Sequence, residues 1–382
     1  MYKFFTKTIY KRLLAGISLF LMSALILTAC ANTNTGSPPT QNQSFATQAD
    51  NFLTNEVNAH RFSGSVLVAR AGEVLFSKGY SMADWARQVP NTPQTKFRVA
   101  SINKQFTAMA ILILQEQGKL RVQDHLCTYN AHCPAAWQPI TLHQLLTHTA
   151  GIPKLSNAPS PLPASPEGIL ALYKDVPLDF TPGAKYQYSN EGYQILGYVI
   201  QHVSGKPYAT FIQQAILDPL HMTNTGFTLT APQTDEASGY QAWQVKDEAI
   251  GLDTSIPPDM SFLFAAEFMY STVEDLQLWD QALDNHTLVS QKLLDMMVAP
   301  YVSTCSSEGC PDPYITSGYG YGWNVSREKN LRLVTWHMGD EWGFVAFNGR
   351  YPENKVSIIV LSNLKSSNPW AIASTLEKMV FS

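Results

Sequence analysis

The sequence predicts an α+β protein, an antiparallel sheet flanked by helices with an inserted, mostly helical lobe. Three observations predict it. Near the start, "GSVLVARAGEVLFSKGYSMADW" gives two β-rich runs around Ala71-Gly72, a hairpin signal. From Tyr319 onward the pattern has period two, in "GYGYGWNV", "LRLVTWHM", "GFVAFNGRYP" and "KVSIIVLSNL". Between these regions, helical stretches such as "EGYQILGYVIQHVSG" and "TVEDLQLWDQALDN" alternate with loops rich in Pro and turn residues. The simplest arrangement puts the first hairpin and the last strands in one sheet. An α/β lobe then takes about 46–120 and 290–382, and the helical lobe about 121–289. There is no internal repeat.

The first 29 residues carry Lys3, Lys7, Lys11 and Arg12, no acidic residue, and an apolar run from Leu13 to Leu27. That run is shorter than the ~20 residues a spanning helix needs, so it reads as an export signal. "LTAC", ending at Cys30, resembles a lipoprotein cleavage site, which implies acylation of Cys30 and a membrane anchor that does not span. Residues 30–45 are uncharged, without aromatics until Phe45, and rich in Asn, Thr, Pro and Ser, the composition of a flexible tether. One folded domain is expected over 46–382. Without residues 1–29 the chain has 22 basic against 30 acidic residues, a net of −8, which speaks against nucleic acid as a partner.

Residues 46–60 have amphipathic helical spacing. After the hairpin comes "FRVASINKQFTAMAILILQEQGKL", whose apolar residues occupy every side of a helix, so that helix should be buried all round, with Gly118 at its stop. Four cysteines follow. In an exported chain, two close pairs favour the local bridges Cys127–Cys133 and Cys305–Cys310. A zinc set from His125, Cys127, His132 and Cys133 is the competing reading. Its spacing fits no standard finger, and no metal site or cofactor is expected. "NPWAIASTLEKMVF" closes the chain as a helix.

The chemistry starts at "SINK". Ser101 and Lys104 stand at i and i+3, one helical turn apart on the same face. A serine at a helix start lies beside unpaired N–H groups, and a buried lysine loses affinity for its proton, so the two could act as nucleophile and base. The pattern SxxK alone is cheap, expected about once or twice by chance in a chain this long. "SREK" (326–329) and "SNLK" (362–365) are decoys at strand ends. Two further triplets supply what acyl transfer needs: Tyr188-Ser189-Asn190 before a helix, and His337-Met338-Gly339 at the end of a strand. A phenol can relay a proton to a leaving group. An amide can hold a substrate carbonyl, and a strand edge can offer N–H to an oxyanion.

SxxK, then YxN, then a (Lys or His)-x-Gly triplet resembles the penicillin-recognising serine hydrolases: class C β-lactamases, DD-peptidases and related esterases and D-aminopeptidases. "LHQLLTHTAGIP", "TPGAKYQYSN", "LDPLHMTNTGF", "MYSTVEDLQLW" and "GYGYGW" add to the likeness, which covers nearly the whole mature chain. The resemblance implies a β-lactamase/transpeptidase-like fold with its site between sheet and helical lobe. It also implies Ser101 as nucleophile, Lys104 as base, Tyr188 as second general acid or base, and Asn190 as substrate binder. His337 takes the place of the family's third-motif lysine, followed by Gly339, and the N–H groups of Ser101 and Asp340 form the oxyanion hole. His148 is left out, as its segment looks structural.

Three departures shape the expected substrate. His337 lacks a permanent charge, Asp340 and Glu341 place two acids at the same rim, and Glu267-Phe268 stand where relatives commonly have paired glycines, which narrows the groove. A carboxylate approaching that rim is repelled. Poor turnover of β-lactams is therefore expected, with neutral or amine-bearing esters and amides preferred. No class A deacylation glutamate is visible. The expected partners are a small-molecule or cell-wall peptide substrate and the membrane through the anchor, with the protein a monomer on the extracytoplasmic face of a bacterial envelope. The alternatives are a penicillin-binding-like sensor or scaffold that does not turn over, and a metallohydrolase, for which no convincing ligand set exists.

Overall fold

Strand Val356–Ser362, "VSIIVLS", is buried at every position, because the sheet that contains it is covered on both faces. Ile359 and Leu361 point to one side with Leu67 and Ala69, while Val356, Ile358 and Val360 point to the other with Val66 and Val68. This computed structural model describes residues 41–129, 133–154, 168, 171–173, 176–227, 235–244, 249–252, 264–305, 309–310 and 313–382. Its eight-stranded sheet comprises β1 (Gly64–Arg70), β2 (Glu73–Tyr80), β3 (Val302–Ser303), β4 (Tyr314–Tyr319), β5 (Asn324–Glu328), β6 (Leu333–Glu341), β7 (Phe344–Tyr351) and β8 (Val356–Ser362). The spatial order is β3-β4-β5-β6-β7-β8-β1-β2 and every pairing is antiparallel. The first hairpin thus joins the last strand, from Gly64↔Ser362 to Arg70↔Val356. Its two-residue turn has both Ala71 and Gly72 at positive φ, the conformation that matches the twist of the flanking strands.

The α-helices with described bounds are α1 (Gln41–Asn58), α2 (Asn103–Glu116), α3 (Leu142–Leu146), α4 (Asn190–Ser204), α5 (Tyr208–Ile212), α6 (Val273–Asp284), α7 (Gln291–Met297) and α8 (Pro369–Val380). The amphipathic helix read at 46–60 begins and ends a little earlier. Phe45, Ala49 and Leu53 of α1 and Ile372 and Leu376 of α8 cover one face of the sheet. α2 lies in the core on the other face, buried at every position from Asn103 to Leu114. Each fully buried Leu, Ile or Phe there contributes on the order of 1.5–3 kcal/mol.

Two expectations needed correction. The run "GYGYGWNV" is not one strand: Tyr319 ends β4, and a turn through Gly322 (φ +77°) leads into β5. β3 and β4 were not anticipated, because Tyr314–Tyr319 lacks clean alternation of buried and exposed positions. The middle of the chain also carries strands. Phe97–Arg98, Met269–Ser271 and Gly226–Phe227 form a three-stranded sheet in that order, and Tyr240–Gln244 pairs with Ala249–Leu252. α6, from the segment read as the helical lobe, packs on β1 and β8.

Cys127–Cys133 and Cys305–Cys310 are disulfide-bonded, so the thiolates of the zinc reading are joined to each other; His132 lies outside the described residues. So do residues 1–40, on which the expected export signal, the acylation of Cys30 and most of the expected tether fall. No helix among the described residues is long and apolar enough to cross a membrane.

Candidate active site

The backbone before Ser101 is fixed by strand pairing. Phe97 faces Ser271, Arg98 faces Tyr270, and the Val99 N–H donates to Met269 O. Continued two residues further, the same antiparallel register sets Ser101 opposite Glu267. The chain then turns through Ala100, a non-glycine at φ +46°, into a 3-10 turn (Ala100–Ile102) that runs on into α2. Three side chains of that turn and α2 bind the segment leading to Glu267: Asn103 Nδ2 donates to Phe264 O, Lys104 Nζ to Ala266 O and Thr107 Oγ1 to Ala265 O.

Lys104 has no exposed surface, and its Nζ donates to Ser101 Oγ over 2.8 Å. Burial pushes its pKa down to about 8, against the opposing pull of Glu267, Glu191 and Glu341. The Ser101 hydroxyl donates in turn to Glu267 Oε1 at 2.9 Å, and that oxygen is 3.9 Å from Lys104 Nζ. The serine oxygen also shares a hydrogen bond with the Tyr188 phenol, whose pKa burial raises well above the usual value. Lys104 Nζ lies 4.9 Å from the Tyr188 ring centre.

Tyr188 precedes a capped helix. The Ser189 side chain accepts from the Gly192 N–H and starts α4, which makes Asn190 its first residue. Asn190 Oδ1 is buried and has no hydrogen-bond partner among the described residues. His148 clamps this triplet: its Nδ1 accepts from the Ser189 N–H, its carbonyl accepts from the Gln187 N–H, and its ring lies 4.3 Å from that of Tyr188. Burial, followed by the charge of Lys104, holds its pKa well below the ordinary histidine value.

The third triplet lies on β6. β5 pairs with it only as far as Trp336, so the edge from His337 onward is free of that strand, and the Ala100–Ile102 turn packs against β6. Gly339 permits the approach: a Cβ at 339 would lie 2.2 Å from Val99 O. His337 is buried. Its Nδ1 is 2.7 Å from Met338 O, a pure acceptor, so Nδ1 carries the proton and Nε2 accepts from Tyr319 Oη at 2.9 Å. Burial and then Lys104 drive its pKa down to about 3, so the ring is neutral and both nitrogens are engaged. It makes no hydrogen bond to Ser101, and as placed it has no nitrogen left for a substrate.

The two acids expected at the rim part company. Asp340 is exposed and ion-paired with Lys365. Glu341 turns inward, 6% exposed, and neither of its oxygens has a hydrogen-bond partner among the described residues. Burial, opposed by Arg98 and reinforced by Glu267, raises its pKa to about 8. Phe268 is buried in the fold while Glu267 reaches the serine, so the pair bears on the nucleophile through the Glu267 carboxyl.

A family model described as Beta-lactamase matches residues 49–377. The chain belongs to the beta-lactamase family. It is 35% identical over 279 residues to penicillin-binding protein PbpX of Bacillus subtilis, covering 72% of this chain and 68% of that one. It is 28% identical over 327 residues to Protein flp of Staphylococcus aureus, covering 84% of this chain and 63% of that one, so it spans under two thirds of flp. The structure of the octameric penicillin-binding protein homologue from Pyrococcus abyssi superposes with a TM-score of 0.76 at 26% identity, over 88% of this chain and 77% of that one. The fold is of the β-lactamase/transpeptidase type, and the protein is a serine hydrolase of the beta-lactamase family.

Within this family frame, sequence reasoning reached Ser101, Lys104, Tyr188 and Asn190, which the structure gathers in one place. It placed Glu267 in the groove and Glu341 at the rim without their contacts, set His148 aside as structural, and did not single out Tyr319. Glu267 comes from a segment 166 residues away through a two-residue strand pairing, which no local pattern reports. His148 sits in a loop at φ +57°. Tyr319 lay inside a run read as a strand of its own. The inward turn of Glu341 was readable, since residues 337, 339 and 341 share one face of a strand and 340 takes the other.

Proposed function

We propose that the protein hydrolyses ester or amide bonds through an acyl-enzyme on Ser101. The observation that carries this is the 2.8 Å contact between Ser101 Oγ and a fully buried Lys104 whose pKa is about 8. As Oγ adds to the acyl carbon, the free amine of Lys104 takes the serine proton. The carbonyl oxygen becomes an oxyanion facing the N–H groups of Ser101 and Asp340, at the free edge of β6. Tyr188 stays protonated at any working pH, so it can give its proton to the leaving alcohol or amine and recover one from the Lys104 ammonium. Water then attacks the ester carbon, its proton passes to the Lys104 amine, and Oγ leaves with a proton. Asn190, with its unpartnered Oδ1, would hold an N–H of the substrate. His148 and His337 act on the triplets around them.

Weak action on β-lactams follows from the same geometry. The third triplet offers a neutral, fully engaged histidine, and a substrate carboxylate would meet the Glu267 side chain beside the nucleophile. Substrates are small esters, amides or cell-wall peptides. The protein works as a monomer, lipid-anchored through Cys30 outside the cytoplasm, where the two disulfides persist. A fluorophosphonate probe followed by an ester turnover assay tests the reading. Labelling at Ser101 with turnover supports it. Labelling without turnover favours a sensor, and absence of labelling removes Ser101 as nucleophile.

A further inference from the structure

A cavity of about 280 Å³ opens beside the nucleophile, lined by Gln241, Glu267, Asp340, Glu341, Trp342 and Lys365. We propose that it is a subsite for the free ammonium group of the substrate, held between the carboxyl groups of Glu267 and Glu341. On the reading that Ser101 is the nucleophile, this makes the substrates amides or esters of amino acids with an unblocked amine.

Glu341 is the main observation. A buried carboxyl that receives no hydrogen bond is costly, and such groups in native folds call for a ligand or a task. The surrounding cations do not supply the missing donors. Lys365 is taken by Asp340 and by the Glu341 carbonyl, Lys104 by Ser101 and Ala266 O, and Arg98 acts on Glu341 through charge without a hydrogen bond to its carboxyl. An ammonium carries three N–H donors and a full charge, which suits a cavity lined by both glutamates.

The position of the cavity selects which amine. Its wall begins at Glu267, whose Oε1 is 2.9 Å from the atom that would carry the acyl group. The bound amine therefore sits next to the acyl carbon, as an α-amino group does, and not at the end of a long side chain. A positive charge in that place would also lower the proton affinity of Lys104 and raise the fraction of free amine available to deprotonate Ser101. The substrate would help activate the serine that attacks it.

Protection of Ser101 from a fluorophosphonate is the test, using alaninamide and N-acetylalaninamide, each as both enantiomers, on the mature-length protein. We expect the free amine of one enantiomer to protect at a concentration at least about tenfold lower than its acetylated counterpart. In Glu341→Gln that difference should shrink to within about twofold. Equal protection by the two forms, protection by neither, or an undiminished difference in Glu341→Gln would overturn the subsite. Should Glu341→Gln not fold, Glu267→Gln is read by the same criterion. Failure to label Ser101 with no amide present is a separate outcome, since it overturns the hydrolase reading on which the subsite rests.

Discussion

Two clusters of buried charge meet across α2. Lys104 belongs to one; Gln105, the next residue, accepts hydrogen bonds from Trp279 and Asn348 in the other. In the second cluster, Arg350 of β7 stands between Asp280, 3.7 Å away, and Asp284, with which it is ion-paired, and Asn348 donates to Asp280. Its cation lies directly between its acids. Around Lys104 the balance is different: Glu341 has charged neighbours but no donor, and the lysine itself is pushed toward its neutral form. The Arg350 cluster ties α6 to the sheet, whereas the Lys104 cluster surrounds a hydroxyl. Unmet polar atoms occur in both clusters, Asp280 Oδ2 and Arg350 Nε among them, so the reactive hydroxyl beside Lys104 marks the chemistry, and not unmet demand as such.

The same substitution in the two clusters should therefore have opposite results. Lys104→Met is expected to lower ester hydrolysis by about 10³–10⁴-fold while leaving the denaturant midpoint unchanged or higher, since an apolar residue replaces a poorly solvated cation. Arg350→Met removes the cation between buried Asp280 and partly exposed Asp284 and should destabilise the fold by about 3 kcal/mol, read by the same unfolding curve. If Lys104→Met unfolds the protein as readily as Arg350→Met, the contrast between the clusters fails.

A smaller effect sharpens the contrast through pH. The folded protein holds a proton on Glu341 up to about pH 8, while the unfolded chain releases it near 4.5, so this group's contribution to stability falls as pH rises between those values. Glu341→Gln lacks that slope. Its stability should match wild type near pH 5 and exceed it by about 3 kcal/mol at pH 8. Urea midpoints at the two pH values check this, and a variant less stable at pH 8 would mean that Glu341 has a partner.

What the sequence disclosed follows from the range of each signal. Ser101 and Lys104 were legible because helical period puts i and i+3 together, and the decoys were rejected for the same reason. Ser326 lies within β5 and donates to Ser317, and Ser362 ends β8 and donates to Ser63 O. The buried strands of the second half announced themselves by alternation. The contact of Glu267 with the serine could not, because only the folded register of two very short strands carries it to Ser101. The pairing of Asp340 with Lys365 was equally invisible, and it removed half of the repulsion expected at the rim.

The pH dependence of fluorophosphonate labelling tests the central claim most directly, with the modified residue located by peptide mass spectrometry. Because attack needs the free amine of Lys104, a single adduct on Ser101 should form at a rate that climbs about tenfold per pH unit below 8 and levels off above it. A rate that is flat from pH 6 to 10, or an adduct on another residue, would contradict it.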